Sequence, residues 1–87
     1  MMSSLPLSSR QLQIAAIAEY KYILNKMSEE SMRFMIEEYY HRTLAPDVPK
    51  PILIMGVLAF TYGYQDVRLF YLEHTQETFQ DIQSYFE

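Results

Sequence analysis

Residues 52–66 read ILIMGVLAFTYGYQD, and this stretch carries no charged side chain before its final aspartate. Its first nine residues are all apolar or glycine, so a helix formed here would be apolar on nearly every face. A transmembrane helix needs about 20 predominantly apolar residues, and the stretch is too short to provide them. We therefore predict a buried central helix, part of whose surface remains open to a second protein chain.

The residues before this stretch predict a short leader and two helices. Ser8 is followed by Gln11 in the pattern of a capping box, which predicts that a first helix begins here after a flexible leader at 1–7. Ser28 precedes two glutamates that suit the positive end of a helix dipole, which predicts a second helix over 29–44. Because only Ser28 separates the two periodic segments, they are predicted to form an αα-hairpin or to meet at a sharp bend.

The rest of the chain predicts a proline-rich linker and further helices. Residues 45–51 contain three of the four prolines, which cannot continue a helix. The apolar helix then covers residues 51–64, and an acidic C-terminal helix follows within 66–87. The predicted fold is thus an all-α bundle of about four helices, a single domain over residues 8–87. An α+β fold with a hairpin at 52–72 is the alternative, because that region is rich in β-branched and aromatic residues.

Composition narrows the classes of function. The 87 residues include no cysteine, which excludes a disulfide scaffold and a thiolate metal or redox site. Seven basic residues against eleven acidic ones give a net charge of −4, and no basic cluster is present to bind phosphates, so nucleic acid is not a predicted partner. A helix-turn-helix regulator is accordingly the third hypothesis. The N-terminus has neither a basic region nor a continuous apolar run, so we expect no signal peptide, no membrane insertion and a cytoplasmic location.

Aromatic side chains make up 15% of the residues, more than so small a domain is expected to bury together with a fully apolar helix. Tyrosine and methionine are enriched at protein interfaces, whereas no activated nucleophile or phosphate-binding loop is recognisable. We therefore predict a non-enzymatic protein–protein interaction module that needs no cofactor and acts as an adaptor, inhibitor or chaperone-like regulator of a larger partner. The predicted partner-binding aromatic residues are Phe60, Tyr62, Tyr64, Phe70 and Tyr71.

An acidic row is the second predicted partner-binding feature. Glu73, Glu77 and Asp81 recur every four residues, so on a helix they would lie on one face. The sequence around them supplies no lysine or arginine, and such a row suits a partner with a basic surface.

Small residues on the apolar helix predict self-association. Gly56, Ala59 and Gly63 lie three or four positions apart and would let a second backbone approach closely. A glycine inside a helix costs up to about 1 kcal/mol relative to alanine, which indicates a gain elsewhere. We predict that these residues form a homodimer interface.

A dimeric metal-binding protein is the alternative function. Glu38 and His41 have the Glu-x-x-His spacing by which two ligands share a helix face in di-iron carboxylate bundles. In an N-terminal hairpin Glu19 would lie at the level of Glu38. These ligands point away from the apolar stripes, and a single copy of the motif is a weak signal, so no metal is predicted in the leading interpretation.

Overall fold

The computed structural model describes residues 8–86, which form four α-helices and a short 3-10 helix. The helices are α1 (Ser9–Lys26), α2 (Glu29–Glu38), α3 (Lys50–Tyr62) and α4 (Tyr64–His74), and the 3-10 helix covers Ile82–Ser84. The all-α fold is confirmed. The alternative hairpin at 52–72 is wrong, because α3 and α4 occupy that region. The predicted leader at 1–7 lies outside the described residues.

Side-chain caps fix where the first two helices begin. The Ser8 hydroxyl accepts a hydrogen bond from the Gln11 backbone N–H at 3.1 Å, and the Gln11 side chain accepts one from the Ser8 N–H at 2.9 Å. The Ser28 hydroxyl accepts from the Ser31 N–H at 3.1 Å. Each cap satisfies a backbone donor that the first helical turn leaves unpaired. Both predicted helix starts are confirmed.

The first two helices form a hairpin around Ser28. The Tyr20 hydroxyl of α1 lies 3.6 Å from the Met35 sulfur of α2, and these two residues stand at similar distances on either side of the turn. The chain therefore reverses direction at Ser28, and both helices pack against α3.

Helix α2 ends at Glu38, earlier than the predicted boundary at residue 44. His41 adopts a left-handed backbone conformation with φ of +55°, which stops the helix. The Arg42 backbone N–H then donates to the Ile36 carbonyl at 3.2 Å and closes the helix end. The prediction of a helix through residue 44 is wrong because a left-handed turn replaces the last helical residues.

The linker after α2 is held by one arginine side chain. The Arg33 guanidinium donates to the carbonyls of Ala45, Pro46 and Val48 at 3.2, 2.8 and 3.2 Å. A proline-rich segment has few N–H groups of its own to build secondary structure, so side-chain donors take over that role. Val48 is consequently fixed in the core, with 1% of its surface exposed.

Helix α3 is the centre of the core. Its residues 52–59 are all buried, and it packs against the other three helices and the 3-10 helix. The predicted burial of this helix is found over residues 52–59, whereas Phe60 and Tyr62 at its end are only partly buried. Residues 75–86, which we call the C-terminal segment, fold back over α3 and bury Ile82 and Phe86 there. None of the helices in residues 8–86 is long and apolar enough to cross a membrane.

Two glycines have structural roles within this core. A β-carbon on Gly56 would lie 2.5 Å from the Phe86 ring, so the absence of a side chain is what lets Phe86 cover α3. Gly63 has φ of +99°, a conformation that glycine adopts at no steric cost. It separates α3 from α4 and lets the chain turn between them.

Helix α4 ends at His74, so the predicted acidic helix does not continue to the end of the sequence. The Thr75 hydroxyl donates to the Tyr71 carbonyl at 2.8 Å and accepts from the Glu77 N–H at 3.1 Å. Thr75 therefore caps the C-terminal end of this helix. The residues that follow are irregular up to the 3-10 helix.

The contact between Gly56 and Phe86 gives a testable prediction. Gly56→Ala is expected to lower the free energy of unfolding by about 2 kcal/mol, because the added methyl group displaces a buried phenylalanine. In a Phe86→Ala background the same substitution should be neutral or stabilising by up to about 1 kcal/mol, since alanine is the better helix former. Urea unfolding followed by circular dichroism measures both values. An equal cost in the two backgrounds would contradict the assignment.

Candidate functional site

A cleft of about 410 Å³ opens where three parts of the chain meet. One wall comes from the residues after α2, the floor from the end of α3 and the start of α4, and the other wall from the C-terminal segment. We call it the aromatic cleft, because four of its eight lining residues carry aromatic rings. The lining residues are Tyr40, Arg42, Ala59, Phe60, Tyr64, Ile82, Gln83 and Phe86.

Phe60 is the central ring of the aromatic cleft. Its centroid lies 5.4 Å from that of Tyr40 and 5.3 Å from that of Phe86. Tyr64 packs edge-on against Phe79 with centroids 5.3 Å apart. Ring pairs at these separations are favourable and hold one another in fixed orientations. Phe60 and Tyr64 are only partly buried, so the cleft presents ordered apolar surface to solvent.

A cation stands beside these rings. The Arg42 guanidinium lies 4.9 Å from the centre of the Phe60 ring, a cation–π contact. Tyr40 is fixed by a hydrogen bond of 2.6 Å between its hydroxyl and that of Thr61. His41, whose backbone is left-handed, lies between Tyr40 and Arg42 in the sequence, and the side chains of both neighbours line the same cleft. The site thus combines an aromatic floor with one exposed positive charge.

The predicted partner-binding aromatic residues separate into two groups. Phe60 and Tyr64 line the aromatic cleft, and Tyr62 is partly buried against the Tyr20 ring, with centroids 6.3 Å apart. Phe70 and Tyr71 are only 3% and 1% exposed, so their rings belong to the core and are not available to a partner on the folded surface. Phe60, Tyr62 and Tyr64 thus keep exposed surface, and the partner-binding role of these three residues stays a prediction.

The acidic residues do not form the predicted row. Glu73 pairs with Arg10 of α1 at 3.3 Å, and Glu77 pairs with Lys21 at 2.6 Å. Asp81 accepts a hydrogen bond from the backbone N–H at the start of the 3-10 helix. Only Glu73 of the three lies on a helix, and two of the charges are neutralised by the same chain. The premise of an unpaired acidic face for a basic partner is therefore wrong.

The predicted metal ligands do not share a helix face. Glu38 is the last residue of α2, and His41 lies beyond it in the left-handed turn, so the helical spacing of the motif is not realised. Glu19 is exposed on α1. Within residues 8–86 no group of three or more histidine and acidic side chains lies close enough to hold a metal ion.

The residues predicted for self-association are used inside the chain. Gly56 accommodates Phe86, Ala59 is 7% exposed beneath the aromatic cleft, and Gly63 makes the turn before α4. The packing and the turn within one chain therefore explain why these three residues are small. Self-association through them stays a prediction without structural support.

Several features of the surface were missed in the sequence. Helical periodicity does not identify Arg42 and Gln83 of the aromatic cleft, since both lie outside the α-helices. Within residues 8–86, six large apolar side chains are exposed. They are Leu12, Tyr22, Ile23, Phe34, Tyr39 and Leu72.

Comparisons with protein-family models, with curated proteins and with solved structures found no match to this chain.

The buried Tyr71 predicts how stability changes at alkaline pH. Burial raises the pKa of Tyr71 above its ordinary value of 10.0, and the nearby Glu77 carboxylate raises it further. Above pH 10 the unfolded chain loses this proton while the folded chain keeps it, so stability is complete below pH 10 and falls as the pH rises. Tyr71→Phe should weaken this alkaline loss in denaturant titrations between neutral and alkaline pH. Tyr22→Phe, at an exposed position, is the control, and identical pH profiles for all three proteins would contradict the prediction.

Proposed function

We propose that this protein is a non-enzymatic protein–protein interaction module that binds a peptide segment of a larger partner in the aromatic cleft. The proposal rests on the cleft itself, in which four aromatic side chains and one arginine surround about 410 Å³ of open space. Adaptor, inhibitor and chaperone-like regulator are all roles that such a site serves. A cytoplasmic setting is part of the proposal.

The chemistry of the cleft supports a protein ligand. Aromatic side chains and arginine are the residue types most enriched in the energetically dominant parts of protein interfaces. The cleft volume lies at the lower end of the range of about 300–1,000 Å³ that ligand pockets occupy, which suits one large apolar side chain and its neighbours. Phe60, fixed between two other rings, gives that side chain a surface that needs little ordering on binding.

Charge weighs against a nucleic-acid regulator. The net charge is −4, and two of the seven basic residues, Arg10 and Lys21, form ion pairs with glutamates of the same chain. Phosphate contacts by several unpaired basic residues supply most of the affinity of DNA-binding proteins. The proposal accordingly names a protein partner and not DNA or RNA.

The function is tested by blocking the cleft. Peptides selected from a random peptide library on the immobilised protein are expected to shift the amide NMR signals of residues 40–42, 59–64 and 82–86. Gln83→Trp should abolish this binding, because Gln83 is exposed on the cleft wall and an indole there fills the space. The loss should exceed about tenfold in Kd, the cost of one anchoring side chain.

Gln76→Trp is the matched control for this experiment. Gln76 is another exposed glutamine of the C-terminal segment, but it lines a separate depression beside Arg68 and Tyr71. Its substitution should leave peptide binding unchanged. Selected peptides that shift signals elsewhere, or that bind Gln83→Trp as well as the wild type, would refute the cleft as the site.

Homodimer formation belongs to the proposal and is measured separately. Because Gly56 and Ala59 are covered within one chain, we expect a second copy to pack on Leu12 and Ile23, which are 55% and 47% exposed. They lie about three turns apart on one side of α1. Light scattering should give the mass of two chains for the wild type and of one chain for Leu12→Ser with Ile23→Ser. A single-chain mass for the wild type at every concentration would contradict dimer formation.

A further inference from the structure

Arg42 is the basic residue that lines the aromatic cleft, whereas Lys26, which contacts the Tyr22 ring, and Arg68 lie elsewhere on the surface. Arg10 and Lys21 form ion pairs, and the Arg33 and Lys50 side chains donate hydrogen bonds to backbone carbonyls. Within residues 8–86 no carboxylate forms an ion pair with Arg42, whose side chain is exposed and makes its contact with the face of Phe60. Its charge is thus directed at the cleft and at solvent.

The cation–π contact of Arg42 leaves its side-chain hydrogen-bond donors available. A guanidinium carries five N–H groups, all in its own plane, and contact with an aromatic face does not consume them. These donors match the two oxygens of a carboxylate, with which arginine forms paired hydrogen bonds. An apolar side chain resting on Phe60 would place its sequence neighbours beside this guanidinium.

The backbone around Arg42 is held in place before any ligand arrives. His41 adopts the left-handed conformation, which is uncommon for residues other than glycine, and the Arg42 N–H is bonded to the Ile36 carbonyl at 3.2 Å. Strained residues of this kind are frequent at binding sites, where the surrounding structure maintains them. The backbone of Arg42 therefore needs little further ordering when its side chain binds an anion.

We infer that the partner segment carries an acidic side chain next to its large apolar side chain, and that Arg42 recognises this carboxylate. The inference rests on the proposed function, since it names the chemistry of the peptide in the aromatic cleft. An internal acidic residue fits better than a chain terminus. Terminal carboxylates are captured by clusters of backbone N–H groups, whereas the donor here is one side chain at the rim of an open cleft.

Four short peptides with blocked ends test the inference. Each has two glycines on either side of a central pair, which is Phe-Glu, Phe-Gln, Phe-Lys or Ala-Glu, and a fifth peptide ends in Phe with a free carboxylate. Binding to the full chain is measured by NMR titration. The Phe-Glu peptide should bind about tenfold more tightly than the Phe-Gln peptide, the gain expected from a charge-assisted hydrogen bond at a partly exposed site. The Ala-Glu peptide should bind more weakly than Phe-Glu.

Charge reversal supplies the decisive control. Arg42→Glu should bind the Phe-Lys peptide more tightly than the Phe-Glu peptide, reversing the wild-type order. Arg68→Glu changes the net charge equally at an exposed arginine outside the aromatic cleft, and it should keep the wild-type order. Circular dichroism of both variants checks that they remain folded.

The outcomes separate the inference from the proposed function. Equal binding of Phe-Glu and Phe-Gln by the wild type, at the cleft, would overturn the role of Arg42 and leave the binding module intact. If the peptide with the free terminal carboxylate binds most tightly, the site recognises a chain terminus and not an internal acidic side chain. That result would overturn the inference. Failure of every peptide to shift any cleft signal would overturn the inference together with the proposed function.

Discussion

Enclosure of α3 is the constraint on which the rest of the structure depends. Eight consecutive residues of this helix, 52–59, are buried, so no side of this part of the helix is left to face water. Burying one large apolar side chain contributes about 1.5–3 kcal/mol, and few other sources of stability exist in a domain of this size. The αα-hairpin, α4 and the C-terminal segment all pack against α3.

The aromatic cleft is a consequence of this arrangement. Phe86 must approach the backbone of α3 at Gly56, in the middle of the helix, and its ring extends from there to Phe60. The residues after α2 approach from the opposite side, because His41 turns the chain there. Phe60 lies between the two and is only partly covered by either. The site on which the proposed function depends is therefore the place where the enclosure of the core is incomplete.

Interactions between near neighbours could be predicted from the sequence, and interactions between distant residues could not. The caps at Ser8 and Ser28 depend on side chains that bond to the backbone within the next turn. The uninterrupted apolar residues of α3 directly predict that this helix is buried. The ends of α2 and α4 depend on a left-handed turn and on a threonine that bonds backward, which the helical period does not reveal. The pairing of Lys21 with Glu77 joins residues far apart in the chain, so the acidic residues appeared unpaired in the sequence. The aromatic cluster was visible, but the part played by Arg42 required the fold.

The position of Phe86 in the chain has a consequence for the order in which the protein forms. A chain is synthesised from its N-terminus, so α3 is made before the residue that lies across Gly56. Until then the most apolar helix of the protein has one side open to water and to other newly made chains. Exposed apolar surface of this kind favours aggregation during folding. Phe86 thus determines when this apolar side of α3 is covered.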